Sequence, residues 1–358
     1  MPEIRRDPLT HRLVTLAPER ADRPHDFPAH DTRAVATDVF TAGHEHLTPP
    51  EVYADRPEGL PANGPGWHVR VVPNRFPAVS LEPPLPEDFD SDLAALGTEG
   101  VSDRVCEHFP GFGAHEVVVE CPDSNHVFHE LPPEQLTRVL AAYRHRVQAY
   151  RHDGRFRYVQ VFKNVGHKAG ASVLHPHSQI VALPFVPHRI ATKQAIADAY
   201  HQRGGRDLYE SVAESELANG ARVLLQDGDW LAFCPYASAF AFEVMILPQP
   251  GAGHRDLADF DAETLATLAR VLHRCLFALA ETGHLEEFNL ALYQSAWPPP
   301  GEPPPASPLA WHLSILPRVS GIAGLELSTG LFINTTPPEA AADQLRRLLA
   351  RKISSPVA

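Results

Sequence analysis

The sequence predicts an α+β protein made of two duplicated halves, each an antiparallel sheet with packed helices. The main observation is an internal repeat, because a strand, an amphipathic helix and two more strands occur twice, about 130 residues apart. The length of 358 residues and the hydrophobic content of 44% suffice for two ordinary domains. We expect an N-terminal half over 1–189, a helical connector over 190–225 and a C-terminal half over 226–358.

The first unit of the repeat starts with the valine-rich strand 116–122 and continues through a turn into a helix over about 132–152. Leucine, valine and tyrosine recur on one face of this segment at helical spacing, which is typical of a helix packed on a sheet. Two strands, 158–162 and 175–184, complete the unit.

The second unit repeats this order. Its elements are the strand 243–250, a helix over about 261–282, and the strands 288–293 and 311–317. If the Leu-Pro ends of the two units are aligned, Ala310 takes the position that His177 holds in the first unit. The C-terminal half is therefore expected to be catalytically degenerate.

The stretch 162–184 carries the main candidate site. Its loop, 164–172, is rich in small residues, and backbone N–H groups of such loops can bind phosphate oxygens. The loop leads into a strand in which His175, His177 and Gln179 occupy alternate positions. Alternate residues of a strand share a face, so these three side chains point the same way.

Three interpretations of this strand are possible from the residues alone: a metal site, a structural histidine pair and a nucleophile. Two histidines separated by one residue on a strand face are a common spacing of metal ligands, and such a pair can also be purely structural. The third is a histidine nucleophile acting on a phosphoryl group. Neutral imidazole is abundant at physiological pH and can form a covalent intermediate that divides one displacement into two.

The combined pattern resembles the signature of the galactose-1-phosphate uridylyltransferase family, the nucleotidyltransferase branch of the histidine-triad superfamily. The matching residues are Asn164-x-Gly166, Gly170-Ala171-Ser172 and His175-Pro176-His177-Ser178-Gln179. Hydrolases of the superfamily usually carry a third histidine where this chain has Gln179. The resemblance implies that both halves are histidine-triad-like and that the protein is a nucleotidyltransferase.

The resemblance further implies a ping-pong mechanism. His177 would attack the α-phosphorus of a nucleoside-diphosphate sugar such as UDP-glucose, release sugar 1-phosphate, and pass the nucleotidyl group to a second phosphate acceptor. Gln179, Ser172 and N–H groups near Gly170 are expected to stabilise charge on the phosphoryl oxygens.

Further binding residues follow from the same resemblance. The nucleotide-binding candidates are Arg20, Arg23, Asn74, Phe76, Asn164, Gly170 and Ala171. Arg20 and Arg23 would neutralise the diphosphate from across the interface of a homodimer. A solvated arginine face is the alternative for this pair, and a strand capped by an Asx turn is the alternative for Asn74.

Residues 318–339 resemble the plant-type ADP-glucose phosphorylase subgroup through the pattern Gly-Leu-Glu-x-x-Thr-Gly-x-x-Ile-Asn. The resemblance implies sugar-phosphate contacts from Glu326, Thr329 and Gly330. The alternative is a glycine-rich hairpin that covers the core. A terminal helix is expected over about 338–352.

The structural zinc site of relatives has lost its cysteine ligands in this chain. Asp38 and Thr41 stand where relatives have thiolates, and a closed zinc site needs about four good donors. We therefore expect no metal cofactor. A residual site remains an alternative, with four histidines as its candidate ligands: His44, His46, His126 and His175.

A second metal site of relatives has also changed. Lys193 and Trp297 stand at expected ligand positions, and His312 is the one plausible ligand that remains. We interpret His312 as a histidine of the core rather than a ligand.

The composition limits the classes of molecule that the protein is expected to bind. A net charge of −13 and a pI of about 5.9 argue against general binding to nucleic acid or a membrane surface, which requires a basic footprint. Four cysteines without a CxxC pair support neither a disulfide framework nor a cysteine-based zinc site. No apolar run is long enough for a spanning helix, so a cytoplasmic location is expected.

Three rival functions stay open. The first is related chemistry with another acceptor, such as an ADP-sugar phosphorylase that uses inorganic phosphate, or transfer to another phosphate or phosphonate. The second is a nucleotide hydrolase of the triad type, which Gln179 disfavours. The third is a non-catalytic nucleotide-binding protein that has kept the fold. The sequence leaves the base and the acceptor undetermined.

Overall fold

The computed structural model describes residues 3–16, 38–82, 111–299 and 301–354. The strands are β1 (Glu3–Arg6), β2 (Leu13–Leu16), β3 (Tyr53–Asp55), β4 (Val69–Pro73), β5 (Ala114–Val119), β6 (Tyr158–Val165), β7 (His177–Leu183), β8 (Val223–Asp227), β9 (Trp230–Phe233), β10 (Val244–Pro248), β11 (Phe288–Tyr293), β12 (His312–Pro317) and β13 (Phe332–Asn334). The α-helices are α1 (Pro133–His152), α2 (His188–Gly204), α3 (Leu208–Asn219), α4 (Ala262–Glu281), α5 (Gly324–Thr329) and α6 (Pro338–Ser354).

Within the described residues, ten strands form one sheet in the order β3-β4-β5-β7-β6-β11-β12-β10-β9-β8. Every neighbouring pair in it is antiparallel. A smaller sheet contains β1, β2 and β13, with β13 parallel to β2. The predicted α+β class with antiparallel sheets is confirmed.

The large sheet consists of two five-stranded sets with the same order. Counted from each outer edge, the first set runs β3-β4-β5-β7-β6 and the second runs β8-β9-β10-β12-β11. In each set a long helix, α1 or α4, follows the third strand and leads back to the innermost strand. The two sets join where β6 pairs with β11, and Asn164 there lies opposite Asn289.

Alternation along the strands assigns the two faces of the sheet. Ile180 and Ala182 of β7 pack in the core with α1 and α4, whose buried residues include Leu140 and Leu268. The apolar periodicity that predicted these two helices is this buried face. On the opposite face, α2 and α3 cover the second set through residues such as Ile190. These two helices form much of the predicted connector.

The opposite face of the first set is covered differently. Phe40 and Ala42, from the segment that begins at Asp38, pack against Val117 and Val119 of β5 and against Trp67. His177 and Gln179 lie on this face, since they pair with Val119 and Val117 across the strands. The candidate site therefore lies on the side of the sheet away from α1 and α4.

The segment 324–329 corrects one expectation. It forms the short helix α5, so the hairpin alternative is wrong. The Glu326 carboxylate accepts a hydrogen bond from the Ala323 N–H at 3.0 Å, which caps the first turn. Gly330 then ends the helix with φ of +70°. Within the described ranges, no helix is both long and apolar enough to cross a bilayer.

Candidate active site

His177 is the first residue of β7 and is 7% exposed. Its Nδ1 lies 2.8 Å from the carbonyl oxygen of His175. A carbonyl oxygen only accepts, so Nδ1 carries the proton and Nε2 of the neutral ring keeps its lone pair. The ring of Phe40 lies beside it, with centroids 5.7 Å apart. The residue thus presents, in a fixed ring, one nitrogen that has no hydrogen-bond partner among the described residues.

The surroundings of His177 favour its neutral form. Burial lowers the pKa of the imidazole below its usual value, and the positive charge of Lys163 lowers it further. A histidine nucleophile must be neutral to attack phosphorus. The site therefore meets both the geometric and the electrostatic condition for nucleophilic catalysis.

A buried ionic network lies behind His177. The Lys163 ammonium donates to the His177 carbonyl at 2.7 Å and to the Glu120 carboxylate at 2.5 Å. The Tyr143 hydroxyl donates to Glu120 at 3.1 Å and contacts the Ser178 hydroxyl at 2.6 Å. Buried charges are tolerated when their hydrogen-bonding capacity is filled in this way. The network fixes the backbone at the start of β7.

Sequence reasoning did not single out this network. Two features of the sequence indicate the network: a lysine inside the apolar strand β6 and a glutamate directly after the valines of β5. A charged residue at a core position of a strand needs a buried partner. The pair Lys163 and Glu120 is therefore the kind of feature that pattern analysis can find in principle.

His175, the other histidine of the motif, is fully engaged by protein groups. Its Nδ1 lies 2.8 Å from the Asp38 carboxylate, and its Nε2 lies 2.8 Å from the Cys121 carbonyl. Two acceptors require a hydrogen on each ring nitrogen. Although partial burial acts to raise it, hydrogen bonds from Thr41 and His175 hold the pKa of Asp38 well below its usual value. An ion pair thus occupies the place where the resemblance predicts zinc ligands.

The described residues do not fit a zinc ion at this position. Among them, no cluster of three or more histidine, cysteine, aspartate or glutamate side chains is arranged to hold a metal. Both ring nitrogens of His175 face protein acceptors, and Nδ1 of His44 contacts the Asp38 carbonyl at 2.7 Å. The rings of His44 and His46 are 6.4 Å apart. No mechanistic step is therefore assigned to a metal.

Gln179 and Asn74, predicted separately, meet at a third residue. Oε1 of Gln179 lies 2.8 Å from Nε2 of His115, and Nδ2 of Asn74 lies 3.2 Å from the same nitrogen. Asn74 also forms the Asx turn that was its alternative interpretation, because its Oδ1 accepts the Phe76 N–H at 2.9 Å. The Phe76 ring is 83% exposed beside this group. Sequence reasoning missed His115.

The phosphate-binding prediction for the loop 164–172 needs a correction. The Gly170 N–H donates to the His167 carbonyl and the Ala171 N–H to the Gly166 carbonyl, each at 3.0 Å. The loop closes on itself as a turn, so these two amides are not free for a phosphate. The Ser172 side chain is exposed directly after the turn.

The second set of strands holds this loop in place. Nδ2 of Asn289 donates to Oδ1 of Asn164 and to the Ala169 carbonyl, both at 2.8 Å. Arg318 in turn donates to Oδ1 of Asn289 at 2.9 Å. The loop beside the nucleophile is therefore fastened by residues of β11 and of the segment after β12.

His312 matches His177 in two ways. It is the first residue of β12, and its Nδ1 lies 2.9 Å from the carbonyl oxygen two residues before it, that of Ala310. The alignment that placed Ala310 opposite His177 is therefore shifted by two residues. Lys193 donates to Nε2 of His312 at 2.9 Å, whereas the described residues offer no such donor to Nε2 of His177.

The remaining candidates do not join this group through the contacts described. Glu326 and Thr329 make local hydrogen bonds around α5, to the Ala323 N–H and the Leu325 carbonyl, and Gly330 ends that helix. Their role in sugar-phosphate binding stays a prediction. Arg20 and Arg23 lie outside the described residues.

Comparison with known proteins gives the family. A family model for the N-terminal domain of galactose-1-phosphate uridyl transferase matches residues 1–187, and one for a domain of unknown function, DUF4921, matches 140–355. The ADP-glucose phosphorylase of Arabidopsis thaliana is 30% identical over 356 residues, which is 97% of this chain and 93% of that protein. The galactose-1-phosphate uridylyltransferase of Thermotoga maritima is 28% identical over 281 residues, 76% of this chain and 82% of that protein.

A solved structure agrees in fold over the whole chain. The crystal structure of an ADP-glucose phosphorylase from Arabidopsis thaliana with bound ADP-glucose aligns with a TM-score of 0.77 and 29% identity. The alignment covers 97% of this chain and 98% of that one. The resemblance inferred from the His-Pro-His-Ser-Gln motif is confirmed, and so is the expectation of a transferase. The chain belongs to the galactose-1-phosphate uridyl transferase family.

Proposed function

We propose that this protein transfers a nucleoside monophosphate from a sugar nucleotide to a phosphate acceptor by way of a nucleotidyl-histidine at His177. The observation that carries the proposal is the state of that ring. Its Nδ1–H is held by the His175 carbonyl at 2.8 Å, and its pKa is lowered by burial and by Lys163. Within the part of the chain that the structure describes, its Nε2 has no hydrogen-bond partner.

In the first step, Nε2 of His177 forms a bond to the α-phosphorus of the sugar nucleotide. The bond from that phosphorus to the bridging oxygen breaks, and sugar 1-phosphate leaves with the electron pair. No proton has to move, because the hydrogen stays on Nδ1, hydrogen-bonded to the His175 carbonyl, while the ring becomes a phosphorylated imidazolium. The amide group of Gln179 and the Ser172 hydroxyl would stabilise charge on the phosphoryl oxygens.

In the second step, an oxygen of the acceptor phosphate attacks the same phosphorus and the bond to Nε2 breaks. The bonding pair returns to Nε2, so His177 leaves as a neutral imidazole, and this makes the intermediate easy to discharge. With a hexose 1-phosphate as acceptor, the product is a new sugar nucleotide. Glu326, Thr329 and Gly330 are the candidates for binding that acceptor, and Arg20 and Arg23 for binding the diphosphate.

Inorganic phosphate is the second candidate acceptor. The observation that favours it is the similarity to the ADP-glucose phosphorylase of Arabidopsis thaliana, which extends over 97% of this chain. Both acceptors use the same nucleophile and differ in the second step. The first step is therefore common to the two versions of the function.

Mass spectrometry of the intact protein tests the common step. The protein is incubated with UDP-glucose, ADP-glucose and a GDP-sugar in turn, and the mass of the adduct on His177 identifies the base. The variant His177→Ala should form no adduct, whereas His152→Ala, an exposed histidine at the end of α1, should form it normally. An adduct on His177→Ala would exclude His177 as the nucleophile.

The products of discharge identify the acceptor. The isolated adduct is mixed with hexose 1-phosphate, inorganic phosphate or buffer. These yield, respectively, a new sugar nucleotide, a nucleoside diphosphate or a nucleoside monophosphate. Rapid release of monophosphate in buffer alone would support the hydrolase alternative, and the absence of any adduct would support a binding protein.

We also propose that the two halves, 1–189 and 226–358 with the connector 190–225 between them, arose by duplication and that the second is catalytically degenerate. The matching strand order and the shared placement of His177 and His312 support this.

A homodimer, in which each subunit contributes Arg20 and Arg23 to the active site of the other, is also part of the proposal. Light scattering tests the dimer. Mixing Arg20→Ala with His177→Ala subunits should restore activity if sites are shared.

A further inference from the structure

The tautomer of His115 is determined by its neighbours. The Ala78 N–H donates to Nδ1 of His115 at 3.0 Å. A backbone N–H can only donate, so Nδ1 is unprotonated and the neutral ring carries its hydrogen on Nε2. Nε2 lies 2.8 Å from Oε1 of Gln179 and therefore donates to it.

This contact fixes the orientation of the Gln179 amide. Were the amide reversed, its NH2 group would face the Nε2–H of His115, which places a donor against a donor. Oxygen and nitrogen of an amide are distinguished by such networks. The oxygen of Gln179 therefore points to His115, and both hydrogens of its amide nitrogen are directed away from it.

Asn74 does not compete for this role. Its Nδ2 lies 3.2 Å from Nε2 of His115, but its amide orientation is set by the Phe76 N–H, which donates to Oδ1 at 2.9 Å. Both nitrogens carry hydrogens, so the contact is not a hydrogen bond. Among residues 3–16, 38–82, 111–299 and 301–354, no acceptor binds the amide hydrogens of Asn74 or of Gln179.

We infer that His115 is a positioning residue that holds Gln179 with its amide nitrogen toward the phosphoryl group bound at His177. Gln179 lies two residues from His177 on the same strand face, and His115, opposite Val181, lies on the other side of Gln179. With its oxygen on His115, the amide directs its hydrogens away from His115 and toward the side of His177. This inference rests on the proposed function.

The orientation of the Gln179 amide decides whether it attracts or repels the phosphoryl oxygens. An amide nitrogen near a phosphoryl oxygen donates a hydrogen bond that strengthens as charge develops. A reversed amide would present its oxygen to the same anion. The hydrogen bonds from Ala78 to His115 and from His115 to Gln179 disfavour the reversed amide before the substrate binds. The amide therefore does not have to turn during the reaction.

A matched pair of variants separates this role from simple packing. His115→Asn keeps an acceptor near the Ala78 N–H and loses the donor to Gln179, whereas His115→Gln can still donate to Gln179. We expect His115→Asn to slow adduct formation about 10- to 100-fold with little change in KM. His115→Gln should recover most of that rate.

A double variant gives the decisive comparison. Gln179→Ala alone should slow adduct formation about 100-fold, as expected for the loss of one donor to the transition state. If His115 acts through Gln179, adding His115→Asn to Gln179→Ala should slow the reaction by no more than about twofold. A full additional loss in the double variant would overturn the inference, since the two residues would then act independently.

A spectroscopic measurement tests the inference without any turnover. In protein labelled with 15N at histidine, the His115 signals, assigned by their loss in His115→Asn, should show a protonated Nε2 and an unprotonated Nδ1. The Nε2 shift should change in Gln179→Ala. Protonation on Nδ1 would overturn the positioning role even if the proposed transfer holds. A protein with the expected tautomer but no adduct would refute the function instead.

Discussion

The ammonium of Lys193 lies 2.9 Å from Nε2 of His312, and both residues are buried. The ring of Tyr293 lies against the ammonium, whose nitrogen is 3.7 Å from the ring centroid. Nδ1 of the histidine is bound to the Ala310 carbonyl, so both ring nitrogens are used. The nitrogen of His312 that corresponds to the reacting nitrogen of His177 is therefore hydrogen-bonded to a fixed cation, the Lys193 ammonium.

This buried lysine predicts a dependence of stability on pH. Burial lowers the pKa of Lys193 from 10.5 to about 8. Between those values the unfolded chain binds more protons than the folded one, so the Lys193 contribution to stability rises with pH, by up to about 1.4 kcal/mol per pH unit. The free energy of unfolding, measured in urea, should rise from pH 7.5 to 9.5 by about 2 kcal/mol more in the natural protein than in Lys193→Met. Equal changes in the two proteins would show that Lys193 is not buried as a cation.

The lowered pKa of His177 predicts the pH profile of adduct formation. The nucleophile stays neutral below its ordinary pKa of 6.5, so the acid limb of the single-turnover rate should lie below that value. Lys163→Met removes a nearby positive charge, and the limb should move to higher pH. Lys168→Met, at an exposed lysine of the neighbouring loop, should leave the limb in place. An unmoved limb in Lys163→Met would mean that burial alone sets the pKa.

Gly166 is a point where a single methyl group should disturb the site. Its φ is +82°, and an added Cβ would lie 2.3 Å from Cγ of Glu287. The Glu287 carboxylate accepts the Lys168 N–H at 3.0 Å and so helps to hold the loop. We expect Gly166→Ala to cost about 1–3 kcal/mol locally and to slow adduct formation.

Gly170 supplies the control for this prediction. Its φ is +86°, but the nearest atom to an added Cβ is 3.9 Å away, so Gly170→Ala adds backbone strain without the clash. The measured order of adduct rates should be natural protein, then Gly170→Ala, then Gly166→Ala. Partial recovery in Gly166→Ala with Glu287→Ala would confirm the clash. Equal rates in the two glycine variants would rule it out.

Replacement of Gln179 by histidine should alter the fate of the intermediate. The resemblance implies a third histidine at this position in hydrolases of the superfamily, so Gln179→His is expected to raise the release of nucleoside monophosphate relative to transfer. Product ratios from an isotopically labelled sugar nucleotide measure this directly. The same ratio in both proteins would contradict the expectation that Gln179 favours transfer over hydrolysis.

Local patterns were sufficient to predict much of the fold. The apolar faces of α1 and α4 recur at helical spacing, and the structure places both helices within one residue of the predicted ends. The alternation along β7 correctly placed His177 and Gln179 on one face. These features depend on neighbours in sequence, which is why the sequence reveals them.

Contacts between distant segments were not predictable in this way. Gln179 and His115 are 64 positions apart, and no local pattern relates them. The amides of Gly170 and Ala171 were expected to be free because the closing carbonyls of the turn cannot be identified from composition. The two-residue error at Ala310 arose because alignment on Leu-Pro ends ignored where the strand begins. Each of these errors concerns geometry that the chain acquires only when it is packed.

The fastening of the loop by Asn289 has a consequence for protein synthesis. Asn164 and Asn289 are 125 positions apart, and the ribosome releases the N-terminal part first. The nascent chain can therefore assemble β5, β6 and β7 while the loop still lacks its clamp and β6 still has an unpaired edge, the kind of surface that invites wrong pairing. We expect that the protein binds nucleotide only after Arg318, which holds Asn289, has emerged from the ribosome.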